Sequence, residues 1–352
     1  MRDVAVISFA QTPARRRVED LNEVEMLMPA VHAVLEQVDM TIDDIGFTCS
    51  GSTDYLAGMA FSFVSTLDGV GPWPPIQESH VEMDGAWALY EAWVKLQLGE
   101  IDTALVYAYA KSSPGDLPMV LTRQLDPITV GPLWPDSVSL AALQARSLLD
   151  SGKATEADMA EVAARSRRDA RSNPNAQLAW DRPAAEVLDE PYLVAPLRRS
   201  DCPPITDGAA AIVLAAGDAA RSRVERPAWI RGIDHRVEPM NLGLRDLTVS
   251  ESTRLAATKA GVADGPVEVA ELHAPFTHQE LILRDALDLD PSTAINPSGG
   301  ALAAHAMMTA GLIRIGELAQ RVMDGDVGRG LAHATSGPCL QQNLVCVLEG
   351  ES

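Results

Sequence analysis

Cysteine is sparse in this chain: Cys49, Cys202, Cys339 and Cys346 are the four thiols in 352 residues. None belongs to a CxxC pair or stands at metal-type spacing from a histidine. That excludes a zinc ribbon and a disulfide framework of the small secreted kind, and free thiols in a reducing cytoplasmic compartment are expected. Basic residues are short as well. Twenty-eight Lys and Arg against forty-nine Asp and Glu leave a formal charge of −21, which argues against nucleic acid or an anionic membrane as a partner. The one basic cluster, Arg15-Arg16-Arg17, reads as a solvated loop. The N-terminal apolar run Val4 to Ala10 is too short to span a bilayer and precedes the arginines, so it reads as a first β-strand. Aromatics amount to only 5%; Phe61, Phe63, Trp73, Trp87 and Trp93 are expected in the core or a pocket wall, not as base-stacking platforms.

What the chain does have is apolar bulk. With 47% hydrophobic residues over 352 positions, it can bury a large core and make two ordinary domains or one large duplicated one. A β-branched run from Val4 to Phe9, helical spacing of Met26, Met28, Val31, Val34 and Leu35, and a short strand from Ile45 to Cys49 open the sequence. The same order returns as a strand at Trp229 to Ile233, a helix around Ser252 to Ala260 and a strand at Val267 to Leu272. Each half continues through a glycine-containing turn into a long helix, Gly85 to Leu98 and Gly300 to Met323. Small-residue strands follow at Thr103 to Ala110 and Arg329 to Thr335, and each half closes on another strand, Gly208 to Ala216 and Asn343 to Leu348. The pattern predicts a first half over 1–225, carrying an inserted loop domain at about 112–205, and a second half over 226–352. An insertion of that length is read as functional.

A strand-helix alternation repeated in this way predicts α/β layers stacked on a pseudo-twofold axis. Three motifs make it recognisable: Asp207-Gly208-Ala209-Ala210-Ala211-Ile212-Val213-Leu214, Glu271-Leu272-His273-Ala274-Pro275-Phe276 and Asn296-Pro297-Ser298-Gly299-Gly300. On these the chain resembles the thiolase superfamily over essentially its full length, in particular sterol-carrier-protein-type thiolases and actinobacterial lipid-transfer-protein homologues. The resemblance implies the thiolase fold, two pseudo-repeated βαβαββ halves stacked as αβαβα layers.

The family keeps a nucleophilic cysteine at the N-terminus of the first half's long buried helix, where free N–H groups and the helix dipole stabilise a thiolate or oxyanion. Here the segment reads Val81-Glu82-Met83-Asp84-Gly85, and the match puts Glu82 at the cysteine's position. Without the thiol, the covalent acyl-enzyme route is closed. Glu82 and Asp84 are read either as helix-start carboxylates or as an acid with a pKa raised by burial.

By the same resemblance His273 matches the histidine of an HDxF motif that donates to a thioester oxygen, with Ala274 where the aspartate usually stands. His305 matches a Gly-His-Pro histidine, here Ala304-His305-Ala306 with one residue fewer after Gly300. On a continuous helix that deletion turns the face by about 100°. Ser336 falls where the family has a second cysteine, with Cys339 three residues late, and the backbone around Gly337, together with Asn296, is a candidate oxyanion lining. Tyr55 is a candidate phenolic acid or base, or a packed loop residue. His278 shares no helix face with His273, so no metal pair is expected.

A thioester site without a thiol suits retro-aldol cleavage of a 3-hydroxyacyl-CoA. The resemblance extends to steroid side-chain aldolases that work with an OB-fold partner. The expectation is therefore an aldol-lyase for a bulky, sterol-derived acyl-CoA, homodimeric through the first-half sheet, with that partner and no cofactor beyond the CoA thioester itself. Two other readings stay open: a catalytically silent thiolase-like subunit completing a partner's site, and a conventional thiolase using Cys339.

Overall fold

The computed structural model describes residues 2–71 and 75–351; Trp73 lies outside them. The first half contributes strands β1 (Val4–Gln11), β2 (Phe47–Gly51), β3 (Glu78–Val81) and β4 (Thr103–Lys111). A two-stranded ribbon, β5 (Tyr192–Val194) with β6 (Leu197–Arg198), lies inside the insertion, and β7 (Asp207–Ala216) completes the half. The second half supplies β8 (Ala228–Val237), β9 (Val269–Leu272), β10 (Ala294–Ile295), β11 (Arg329–Ser336) and β12 (Gln342–Glu349).

The main sheet runs β10-β9-β11-β12-β8-β1-β7-β4-β2-β3. Read outward from its centre, each half has the same order and the same pairing sense. β2 is parallel to β3 and β4, while β7 is antiparallel to β4 and β1. In the second half β9 is parallel to β10 and β11, and β12 is antiparallel to β11 and β8. The halves join where β1 meets β8, at Ala5↔Trp229 and Val6↔Ala228. The duplication expected from the sequence is thus a repeat of strand topology. β3 and β10, the two outermost strands, escaped the sequence reading because strands of four and two residues carry almost no periodic signal.

Layering follows from which faces are apolar. Along β7, Ala210, Ile212 and Leu214 enter a core shared with helices Gly85–Gln97 and Ala310–Met323, while Ala209, Ala211 and Val213 pack on Met26, Leu27, Val31 and Val34 of helix Glu23–Glu36. Both faces are covered, so the strand is an unbroken apolar run instead of an alternating one. A third core, with Ala256, Ala260, Ile282 and Leu283, covers the outer face of the second half. The two halves of the one ten-stranded sheet therefore cover the paired inner helices from either side, and outer helices cover each half in turn, which gives the αβαβα layer order. Close packing of helix Ala310–Met323 on β1 needs glycine at position 316, where a Cβ would overlap the Phe9 ring.

Between β4 and β7 the chain forms helices Leu117–Arg123, Ser137–Asp150, Glu156–Asp169 and Ala184–Leu188. It reaches across to the second half: Arg165 pairs with Glu280 at 2.6 Å, and Asn173 donates to the Ser298 carbonyl at 3.1 Å. Among the described residues no helix is long and apolar enough to cross a membrane.

One expected element is corrected. The helix predicted from Gly300 to Met323 is two helices, Gly300–Ala303 and Ala310–Met323, with residues 304–309 outside helix. The break survives because its backbone groups find partners elsewhere: His305 N–H donates to Thr206 Oγ1 at 3.0 Å, and the Met308 carbonyl accepts from Gly85 N–H at 2.8 Å.

Candidate active site

His273 follows directly on the C-terminal end of β9, and its backbone N–H donates to the His333 carbonyl of β11 at 3.1 Å. The Thr335 N–H donates to His273 Nδ1 at 3.3 Å. An accepting Nδ1 on a neutral imidazole leaves the proton on Nε2. That Nε2 lies 3.0 Å from Nε2 of His305, so His273 donates and His305 accepts. His305 reaches it because it stands in the helix break, where the rotation expected of a continuous helix does not apply.

Both rings are held neutral. Burial pulls His273 well below the ordinary histidine range, with the neighbouring His305, His333 and Arg314 acting the same way. Burial, then Arg314, brings His305 to about 4. Arg314 is itself held in a buried ion pair, its Nη1 meeting Glu271 Oε2 at 2.7 Å. Glu271 also accepts from Ser298 N–H at 3.1 Å and Ser298 Oγ at 2.7 Å.

The carboxylates of the Val81–Gly85 segment separate in space. Glu82 is half exposed, its side chain at 47%. Its Oε1 accepts from Thr53 Oγ1 at 2.8 Å and Asp54 N–H at 2.7 Å, and Oε2 faces His80 Nε2 at 3.2 Å. The structure therefore directs Glu82 to a surface loop instead of joining it to the histidine pair. Asp84 is buried at the helix start. Its Oδ1 accepts from Ala86 N–H at 2.8 Å and Leu312 N–H at 3.0 Å, and its Oδ2 from Gly311 N–H at 2.8 Å. One side chain thus caps both inner helices, which is the helix-start reading of Asp84. Burial raises the Asp84 carboxyl to about 7, against the pull of those three donors.

Tyr55 is 57% exposed on the short helix Asp54–Ala57. Asn296 is occupied in the fold: Oδ1 accepts from Leu272 N–H at 2.6 Å and Nδ2 donates to Glu280 at 3.1 Å. It ties β9 and helix Thr277–Ala286 to the glycine turn that precedes His305. Ser336 ends β11, and Gly337 turns the chain at φ 74°. Of the aromatics expected inside, Trp87 is buried and Phe63 stacks on His80, but Phe61 is exposed.

The thiols are spread through the packing. Cys49 and Cys346 lie in the inner core, and burial raises both strongly. Cys202 and Cys339 sit in smaller clusters, pushed up to about 12 and about 11. The Cys339 thiol donates to the Leu140 carbonyl at 3.5 Å. Burial thus disfavours the thiolate at all four.

Two members of the site were missed from sequence. Arg314 was read as part of a helical run, and Thr335 acts only through its backbone. Glu271 was quoted in its motif but given no role; a charged residue within an apolar strand was the available signal for a buried partner.

No family model matches the chain. It is similar to acetyl-CoA acetyltransferase of Methanothermobacter thermautotrophicus, 24% identical over 362 residues, covering 94% of this chain and 93% of that protein. The acetyl-CoA acetyltransferase of Methanocaldococcus jannaschii is 25% identical, with 90% and 89% covered. Among solved structures, human mitochondrial 3-ketoacyl-CoA thiolase superposes with a TM-score of 0.80 at 16% identity, covering 100% of this chain and 99% of that one. An Ltp2-ChsH2(DUF35) aldolase does so with a TM-score of 0.79 at 17% identity, covering 99% and 97%. With the repeated five-strand topology, these likenesses establish that the chain has the thiolase fold.

Proposed function

We propose that this chain is a member of the thiolase superfamily that acts on an acyl-CoA thioester without forming an acyl-enzyme, and that its reaction is retro-aldol cleavage of a 3-hydroxyacyl-CoA. The observation that carries the reading is a pair of neutral imidazoles, one donor and one acceptor, in a protein whose thiols are all buried and protonated. In the cleavage His305 Nε2 takes the proton of the 3-hydroxyl, the bond between C2 and C3 breaks to release a ketone, and its electron pair passes to the thioester as an enolate. His273 Nε2–H donates to the thioester oxygen where that charge develops. The proton taken by His305 returns to C2, which leaves a shortened acyl-CoA and a neutral histidine. The imidazolium is transient because burial and Arg314 disfavour it, while the enolate beside it offsets that cost.

Similarity to the Ltp2-ChsH2(DUF35) aldolase supports the reaction class and a partner protein, which the proposal takes to be of the OB-fold type. A sterol-derived acyl group, a homodimer and a cytoplasmic setting belong to the same proposal. A second reading has its own support: the two histidines already satisfy each other, and Glu82 and Tyr55 face outward, as suits a silent subunit that completes a partner's site. The purified chain, alone and with OB-fold partners, is incubated with 3-hydroxyacyl-CoA esters and ketone release is followed. Release that requires this chain supports the lyase; no release in any pairing, while a partner subunit is active, leaves the scaffold reading.

A further inference from the structure

The hairpin turn after β11 adopts an unusual conformation and is held by a buried cation. Gly337, Cys339 and Leu340 have φ of 74°, 55° and 58°. A left-handed glycine is ordinary, but two consecutive left-handed non-glycine residues, one a leucine, are strained and persist only where the surroundings impose them. Those surroundings are specific. Arg245, whose side chain is 3% exposed, donates from Nη2 to the Pro338 carbonyl at 2.9 Å and from Nη1 to the Cys339 carbonyl at 3.1 Å. Gln144, from the insertion, donates to the same Cys339 carbonyl at 3.4 Å, and Asn343 Nδ2 donates to the Leu340 carbonyl at 2.9 Å. Three successive carbonyls are thereby drawn inward. Arg245 has only a loose carboxylate partner, Glu238 at 3.8 Å, so its strongest interactions are with the turn.

Turn geometry fixes the register of a hairpin. In the observed register Thr335 pairs with Asn343 and Ser336 with Gln342, and Thr335 is the residue whose N–H holds His273 Nδ1. A slip of one residue would flip the side chains and remove that donor from the imidazole.

We propose that Arg245 is a positioning residue, assisted by Gln144, that locks the Ser336–Leu340 turn in its left-handed form and through it holds Thr335 against His273. As a statement about catalysis this rests on the reading of His273 and His305 as the reacting groups; as a statement about the turn it does not. Cys339 supplies a readout independent of activity, because it lies within the turn and is buried there, so local opening of the turn is expected to uncover its thiol.

Native protein, Arg245→Met and Arg245→Lys are alkylated with iodoacetamide, and each cysteine is quantified by mass spectrometry. Labelling of Cys339 in Arg245→Met is expected to rise by roughly tenfold, as for local opening after loss of a charge-assisted hydrogen bond, with Cys49, Cys202 and Cys346 unchanged and Arg245→Lys intermediate. In ¹⁵N-histidine spectra of the same proteins, the His273 Nδ1 resonance is expected to move toward that of an unbonded acceptor, least in Arg245→Lys. Unchanged Cys339 labelling in both variants, or a parallel rise at all four cysteines, would overturn the proposal. If selective labelling appears but wild type releases no ketone, the clamp stands and the lyase reading falls.

Discussion

Nε2 of His273 and Nε2 of His305 lie 3.0 Å apart, although 32 positions separate the residues in the chain. One follows a β-strand, the other stands in a break between two helices, and the proton between them is assigned by a backbone N–H on a third element. A donor and an acceptor are thereby presented side by side in neutral form.

Replacing either ring is expected to remove most turnover. His305→Ala removes the acceptor and His273→Ala the donor, and each is expected to lower the rate of ketone release by about 10²–10⁴. Steady-state assays on variants with native circular dichroism check this. Loss of less than about threefold in both would mean that other groups carry the reaction.

The two carboxylates before helix Gly85–Gln97 are expected to behave in opposite ways. Asp84→Ala strips three N–H groups of their acceptor at the starts of two buried helices, a loss of about 3 kcal/mol or more. Glu82→Ala removes bonds at a half-exposed loop and is expected to cost within about 1 kcal/mol, with turnover unchanged. Urea midpoints for the two variants test the contrast; a larger loss in Glu82→Ala would reverse the assignment.

Stability is expected to fall as pH drops below 6.5. His278, His305 and His333 are brought to about 3, about 4 and about 4 by burial, and His273 is also well below its ordinary value. Between those values and 6.5 the unfolded chain binds protons that the folded chain refuses, so acid favours unfolding. Asp84 opposes this: with its folded value near 7 against 3.8, the folded chain keeps a proton that the unfolded chain has lost, and stability falls as pH rises through that window. Burial also raises Asp169, Asp201, Asp234 and Glu317 and lowers His235, but the four deeply buried histidines carry the balance in the window just below 6.5, where the carboxyls of an unfolded chain are already ionised. Urea midpoints from pH 5 to pH 6.5 should therefore rise, and His278→Gln should shallow the slope; a flat profile would contradict the neutral assignment.

Incubation with an acyl-CoA at neutral pH is expected to leave the intact mass at 37.6 kDa, since no thiol here is both exposed and ionised. Native mass spectrometry after quenching detects an acyl adduct directly. An adduct on Cys339 would restore the conventional thiolase reading.

Much of the fold was legible because the chain writes one strand-helix order twice, and apolar periodicity survives where sheets are covered on both faces. The histidines were legible from the motifs around them. Their meeting was not, since its decisive feature is a helix break made by Asp84, Thr206 and Gly85, none of them adjacent to His305 in sequence. That Glu82 turns outward and Asp84 inward was not legible for a related reason: sequence places two carboxylates at a helix start but does not say which turns inward.

The amino-acid sequence by itself determined the duplication, the missing thiol at the helix start and the chemical identity of the two imidazoles, because composition and short-range period are local properties. Which carboxylate is buried, which nitrogen carries the proton and which buried arginine holds the turn beside His273 were decided only by tertiary structure. Those outcomes depend on desolvation and hydrogen-bond partners brought together from distant segments, and no local pattern encodes them.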